Sequence, residues 1–214
     1  MQRFEATDMP VKVYHPAIEK ARTKVAGMAN MQVVDLHQLA ETDYVLLALP
    51  AGKAGELVEM LQRGSENGAD LPVLINLSTK DRTAELRKHH PAFCWMGIKL
   101  AGHAKALEQE GNGLFVSQEW QAYPEVAQCF RRIGEVAEGS EEDVLRFNSQ
   151  VTEAAVASAV KLKEQLKQAN FDNDWIRHAL TCSFPQVVKA YEQDELGTFA
   201  KEVAEKVRED KSSQ

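Results

Sequence analysis

Two apolar runs set the fold of this chain. They are Tyr44-Val45-Leu46-Leu47-Ala48-Leu49-Pro50 and Pro72-Val73-Leu74-Ile75-Asn76-Leu77-Ser78. A strand that is apolar at successive positions needs cover on both faces. Helices on either side of a parallel sheet supply that cover, whereas a half-exposed strand alternates. Between the two runs, Ala54 to Gln62 places Leu57, Val58 and Leu61 on one helical face, and Gly64 to Asp70 is a polar loop.

The same alternation extends in both directions. Met1 to Thr7 reads as the last turns of a helix, ended by Asp8 and Pro10. Val11 to Tyr14 and Met31 to Val34 read as short strands around a helix, Ala17 to Val25, with Ile18, Ala21, Arg22 and Val25 at helical spacing. Asp35 is an N-cap candidate for a turn of helix to Ala40. Asp81 to His89 reads as a short charged helix, and Phe93 to Leu100 and Gly113 to Ser117 as further strands. Strands alternating with helices predict a parallel α/β sheet with right-handed crossovers.

Beyond about residue 138 the character changes. Glu141 to Ala169 has neither glycine nor proline, and Val151, Ala155, Ala159, Leu162 and Leu166 form one stripe. Further helices are predicted over Asp174 to Glu192, broken near Pro185, and over Thr198 to Glu209. The division falls between an α/β domain at residues 1–140 and a helical domain at residues 141–214. Trp95, Trp120 and Trp175 read as core or interface residues.

The charge balance narrows the partners. The net charge is −7, with lysines and arginines interleaved among acids, so neither nucleic acid nor an anionic membrane surface is expected as a partner. Three cysteines without a CxxC pair suit a reducing compartment. The longest apolar run is far short of the roughly 20 residues of a membrane span. Glu5 stands where a signal peptide would begin its apolar core. The expected location is cytoplasmic.

In an open parallel sheet, ligands bind outside the carboxyl ends of the strands. The candidates are therefore His15-Pro16, Leu49-Pro50-Ala51, Ser78-Thr79-Lys80, and Lys99 to His103. The fingerprint G-x-G-x-x-G is absent. Ala51-Gly52-Lys53-Ala54-Gly55 does not complete a phosphate loop, because no Ser or Thr follows Lys53. Lys99 and His103 are candidate proton donors after a strand. His89-His90 and His178 have no metal-ligand spacing, and no metal is expected.

The segment Leu39-Ala40-Glu41-Thr42-Asp43-Tyr44-Val45-Leu46-Leu47-Ala48-Leu49-Pro50 resembles a strand of the pyrroline-5-carboxylate reductase and 6-phosphogluconate dehydrogenase superfamily. Val11 to Arg22, Pro72 to Ser78, and Phe130 to Gly139 are similar to its second strand, its fifth strand and the segment closing its dinucleotide domain. The resemblance implies a Rossmann-like parallel sheet followed by an all-helical domain that forms a homodimer. It also implies a first strand and glycine loop ahead of the Met1 to Thr7 helix; neither is in this sequence.

The resemblance implies site residues as well. A cofactor, NADP with NAD as the alternative, would be bound by His15, Pro16, Ala48, Leu49, Pro50 and Ser78. Lys20, Arg22 and Lys24 near His15 suit a 2′-phosphate. Lys99, His103 and Asn148 are the catalytic candidates. The dehydrogenase branch carries a lysine with asparagines at that helix; the nearest residues here are Arg146 and Asn148. The implied activity is hydride transfer between NADPH and a small C=O or C=N substrate. The stretch Asn148 to Glu153 lacks the Ser-Gly-Pro-Ala-Tyr-like signature of the reductases. With the missing glycine loop, this keeps open a catalytically inactive or regulatory protein that retained the fold.

Overall fold

The computed structural model describes residues 2–64, 71–111 and 113–212. The polar loop read over Gly64 to Asp70 lies, after Gly64, outside the described residues. The chain divides into two compact units, Met1–Ser149 and Gln150–Gln214.

The first unit runs α1 (Gln2–Glu5), β1 (Val11–Val13), α2 (Ile18–Val25), β2 (Met31–Val33), α3 (Leu36–Ala40), β3 (Tyr44–Leu47), α4 (Ala54–Gly64) and β4 (Val73–Asn76). It continues through α5 (Thr83–His89), β5 (Trp95–Gly97), β6 (Lys99–Ala101), α6 (Ala104–Glu110), β7 (Leu114–Ser117), α7 (Pro124–Arg131) and β8 (Glu135–Glu138). The long helix α8 (Glu141–Gln168) starts in this unit and ends in the next.

The apolar runs form the parallel pair β3–β4, with Tyr44 opposite Val73 and Leu47 opposite Asn76. β4 pairs in parallel with β5, and β1 with β2. Phe93 to Leu100, read as one strand, breaks at Ile98. The part after the break, β6, pairs antiparallel with β7, which pairs in parallel with β8.

Side-chain alternation sorts the core into two layers. Val45, Leu47, Leu74 and Trp95 pack with Val58 and Leu61 of α4 on one face. Ile75, Met96, Ile98 and Phe115 pack with Val126 and Phe130 of α7 on the other. β4 is thus covered on both faces, as its sequence requires. β3 is not: Leu46 is 37 % exposed. Among the described residues β3 pairs only with β4, so the expectation of full cover for the first apolar run fails on one face.

Local signals explain several ends. Asp35 caps α3 in a reciprocal box with Gln38. Gly111 ends α6 at φ +78°, where a side chain would be strained. Asn30 Nδ2 lies 2.7 Å from the carbonyls of Phe4 and Thr7 and 2.9 Å from that of Met9, which fastens the chain after α1. Asn30→Ala is expected to destabilise the first unit by about 1–2 kcal/mol, as read by urea denaturation.

The second unit holds the end of α8, then α9 (Asn173–His178), a π turn (Ala179–Ser183), α10 (Phe184–Glu192) and α11 (Thr198–Ser212). The break anticipated near Pro185 is this π turn: proline has no N–H to donate, and the preceding turn widens.

Candidate functional site

The carboxyl edge of the sheet carries most of the expected cofactor residues. The β3–β4 register sets Ala48, Leu49 and Pro50 beside Leu77 and Ser78, and Leu77 N donates to Leu47 O at 3.4 Å. Ala48 and Pro50 are exposed, while Leu49 is half-buried. Tyr14 and Leu49 pack against one core cluster, so the end of β1 shares this layer. His15 and Pro16, which follow Tyr14, are exposed; His15 Nδ1 accepts from Ala17 N at 2.9 Å.

The loops after β3 and β4 are tied together. Gly52 N donates to both carboxylate oxygens of Asp81 at 3.1 Å. Asp81 N in turn donates to Ser78 Oγ at 3.2 Å, and Ser78 N to Asn76 Oδ1 at 3.0 Å. The buried Asn76 amide donates to Asp81 O at 2.7 Å and Thr83 Oγ1 at 2.9 Å.

Lys99 lies beneath this loop and is 2 % exposed. Its ammonium reaches Ser78 O at 2.5 Å, Asp81 O at 3.3 Å, Asn76 O at 3.4 Å and Glu141 Oε1 at 3.2 Å. Burial lowers its pKa from the ordinary lysine value, and the negative charge of Glu141, then that of Asp81, works against the shift. Glu141, in the first turn of α8, also accepts from the Thr83 hydroxyl and from Thr83 N at 3.0 Å. A Cβ at Gly97 would crowd the Glu141 carboxylate and stand 2.8 Å from Thr83 Oγ1, so a side chain there would push this pair aside.

Above this network opens a cavity of about 660 Å³ at the ends of β4, β5, β7 and β8. Thr83, Gly97, Ser117, Glu119, Glu141 and Leu145 are among its walls. Glu119 is held by Arg87 at 2.5 Å and by Gly97 N at 2.8 Å. Of the sequence-predicted candidates, Thr79 and Lys80 line this cavity, whereas His15, Pro16, Ala48, Leu49, Pro50, Ser78, Lys99, His103 and Asn148 are not among its walls.

The three catalytic candidates part company. Asn148 Oδ1 accepts from Gly102 N at 2.9 Å and its Nδ2 donates to Leu100 O at 3.1 Å, so α8 docks next to His103. His103 is exposed and caps α6, accepting from Lys105 N at 3.2 Å. Lys99 sends its amine the other way, into the β4 loop.

Sequence reasoning missed Asp81, Thr83, Glu119 and Glu141. Ser140-Glu141-Glu142-Asp143 signals only a capped, acidic helix start. Nothing local points from it to Lys99. Among the described residues, no cluster of His, Cys, Asp or Glu is grouped to hold a metal.

Parallel strands joined by helices, loops gathered at their carboxyl ends and a long following helix make up a Rossmann-like architecture. No family model matches the chain, and no curated protein matches it in sequence. Solved structures do. A pyrroline-5-carboxylate reductase from Coxiella burnetii matches with a TM-score of 0.69 at 12 % identity, over 96 % of this chain and 78 % of that one. The Plasmodium falciparum pyrroline carboxylate reductase with NADP bound matches with a TM-score of 0.61, at 12 % identity over the same shares. An imine reductase variant from Myxococcus stipitatus in complex with NAD+ matches with a TM-score of 0.57 at 9 % identity, over 90 % and 72 %. The chain has the fold of these oxidoreductases.

Proposed function

We propose that this chain is an NAD(P)-dependent oxidoreductase that moves a hydride between NADPH and a small C=O or C=N substrate. The observation that carries the reading is the carboxyl edge, where Ala48 to Pro50 and Leu77-Ser78 leave the paired ends of β3 and β4 and Gly52 N ties the first loop to Asp81 of the second, in a fold whose similar structures hold NADP or NAD+. His15 and Pro16 at the end of β1 would flank the adenosine ribose. Lys20 and Lys24 follow on α2, with Arg22 paired to Glu19, and this cationic face favours NADP over NAD. His103 and Asn148 would form the substrate side, His103 as the exposed proton carrier and Asn148 as a positioning group, while the buried amine of Lys99 serves the β4 loop instead. Three free cysteines fit a cytoplasmic setting.

A second reading, a regulatory protein that kept the fold without catalysis, rests on the stretch Asn148 to Glu153, which lacks the Ser-Gly-Pro-Ala-Tyr-like signature of the reductases. Titration of the full chain with NADPH, followed by cofactor fluorescence, tests the first. Saturable binding well below millimolar cofactor is expected, and no binding at millimolar cofactor overturns it. Binding without NADPH oxidation across small carbonyls and cyclic imines selects the second reading. No helix among the described residues is long and apolar enough to cross a membrane. The partner we assign is a second copy of the chain, through the C-terminal helices.

A further inference from the structure

Lys99 holds the carboxyl edge in shape from below. An ammonium has three N–H donors. Here four acceptors surround it: three carbonyl oxygens of the segment Asn76 to Asp81, and Glu141. The three carbonyls belong to one turn of chain, the turn that presents Ser78 and whose Asp81 fastens Gly52 of the β3 loop. One buried cation therefore sets both loops of the proposed cofactor edge.

That cation cannot stay charged on carbonyl dipoles alone when it is 2 % exposed. The acids facing it are Glu141 from α8 and Asp81 from the loop. Asp81 spends both its oxygens on Gly52 N, whereas Glu141 contacts Lys99 directly and is itself fixed by Thr83. Neutral Lys99 would keep two N–H donors and turn a lone pair on a carbonyl, and the clamp would open.

We propose that Glu141 is a positioning residue for the dinucleotide: by keeping Lys99 charged, it holds the Ser78–Asp81 loop in the shape on which the cofactor lies. The proposal rests on the dinucleotide reading. It assigns the first turn of α8 a part in cofactor binding although Glu141 sits at the neighbouring cavity.

The test is NADPH affinity of the full chain as a function of pH, carried from neutral into the alkaline range, because Lys99 titrates below the ordinary lysine value. Wild type is expected to lose affinity as pH rises through the Lys99 pKa. Removing the Glu141 charge lowers that pKa further, so in Glu141→Gln the loss is expected at a lower pH than in wild type. Lys99→Met is expected to bind weakly at every pH, with this limb absent. A merely structural Glu141 would weaken binding evenly and leave the midpoint in place, and that result overturns the proposal. If Glu141→Gln folds too poorly to titrate, Asp81→Asn is expected to move the midpoint in the same direction by less; an unmoved midpoint there also overturns it. Wild type that binds no NADPH at all overturns the dinucleotide reading and this one together, whereas binding with an unmoved midpoint overturns this one alone.

Discussion

Lys99→Met is expected to cost the first unit about 3 kcal/mol, the lower end of what breaking a buried ion pair costs. The lower end applies because the Glu141 side chain is 29 % exposed and keeps some water. Methionine fills the aliphatic volume, so the loss is not a cavity effect. It comes from Glu141 left without its cation and from the Ser78 carbonyl losing the Lys99 donor, whereas Asn76 O keeps Ile98 N and Asp81 O keeps the Asn76 amide. Urea denaturation followed by the fluorescence of Trp95 and Trp120, both in this unit, reads it. The pair itself need not contribute much: exchanging both partners for apolar groups is often neutral. Lys99→Met with Glu141→Leu is therefore expected to recover most of the loss. A single variant within about 1 kcal/mol of wild type would show that the network is not a stabilising one.

Interaction range separates the elements legible in the sequence from those hidden in it. β3 and β4 were legible because an apolar run needs no partner to be recognised, and the candidates at their ends, Leu49, Pro50 and Ser78, come from topology. α6 was not read: Ala104 to Glu110 holds a single large apolar side chain, Leu107, and has no period to detect. α7 was not read either, although Pro124 opens it. The break at Ile98 has no turn residue of its own apart from Gly97. That glycine is explained only by Glu141 and Thr83, which meet across it. Lys99 was singled out for its type and strand position, but its partners lie in a distant loop and on α8. The change of composition near residue 140 marked the start of α8. Its first turns nevertheless belong with the α/β unit, through Val144 at 2 % exposure and through Asn148.

The C-terminal helices are expected to hold two copies of the chain together, and the full protein is expected to sediment at twice the mass of one chain. Among the described residues of Gln150–Gln214, the one buried apolar side chain is Ile176. So few buried groups cannot offset the conformational entropy of ordering such a unit. The missing core is present as exposed stripes. Val156 and Val160 lie one turn apart on α8. Val187, Val188 and Tyr191 share α10, and Phe199, Val203 and Val207 run along α11, with Phe199 79 % exposed. Apolar stripes at helical spacing need a facing stripe, and patches of this extent mark interfaces. A second copy offers the same stripes by two-fold symmetry. Val156→Asp with Val160→Asp is expected to weaken the dimer at least roughly a hundredfold, since two buried valines contribute about 3 kcal/mol or more. The double variant should also melt earlier, with a midpoint that depends more steeply on protein concentration. Sedimentation velocity decides the matter: a wild-type monomer at micromolar concentration would mean that the stripes serve a different partner, and a double variant that remains dimeric would move the interface off α8.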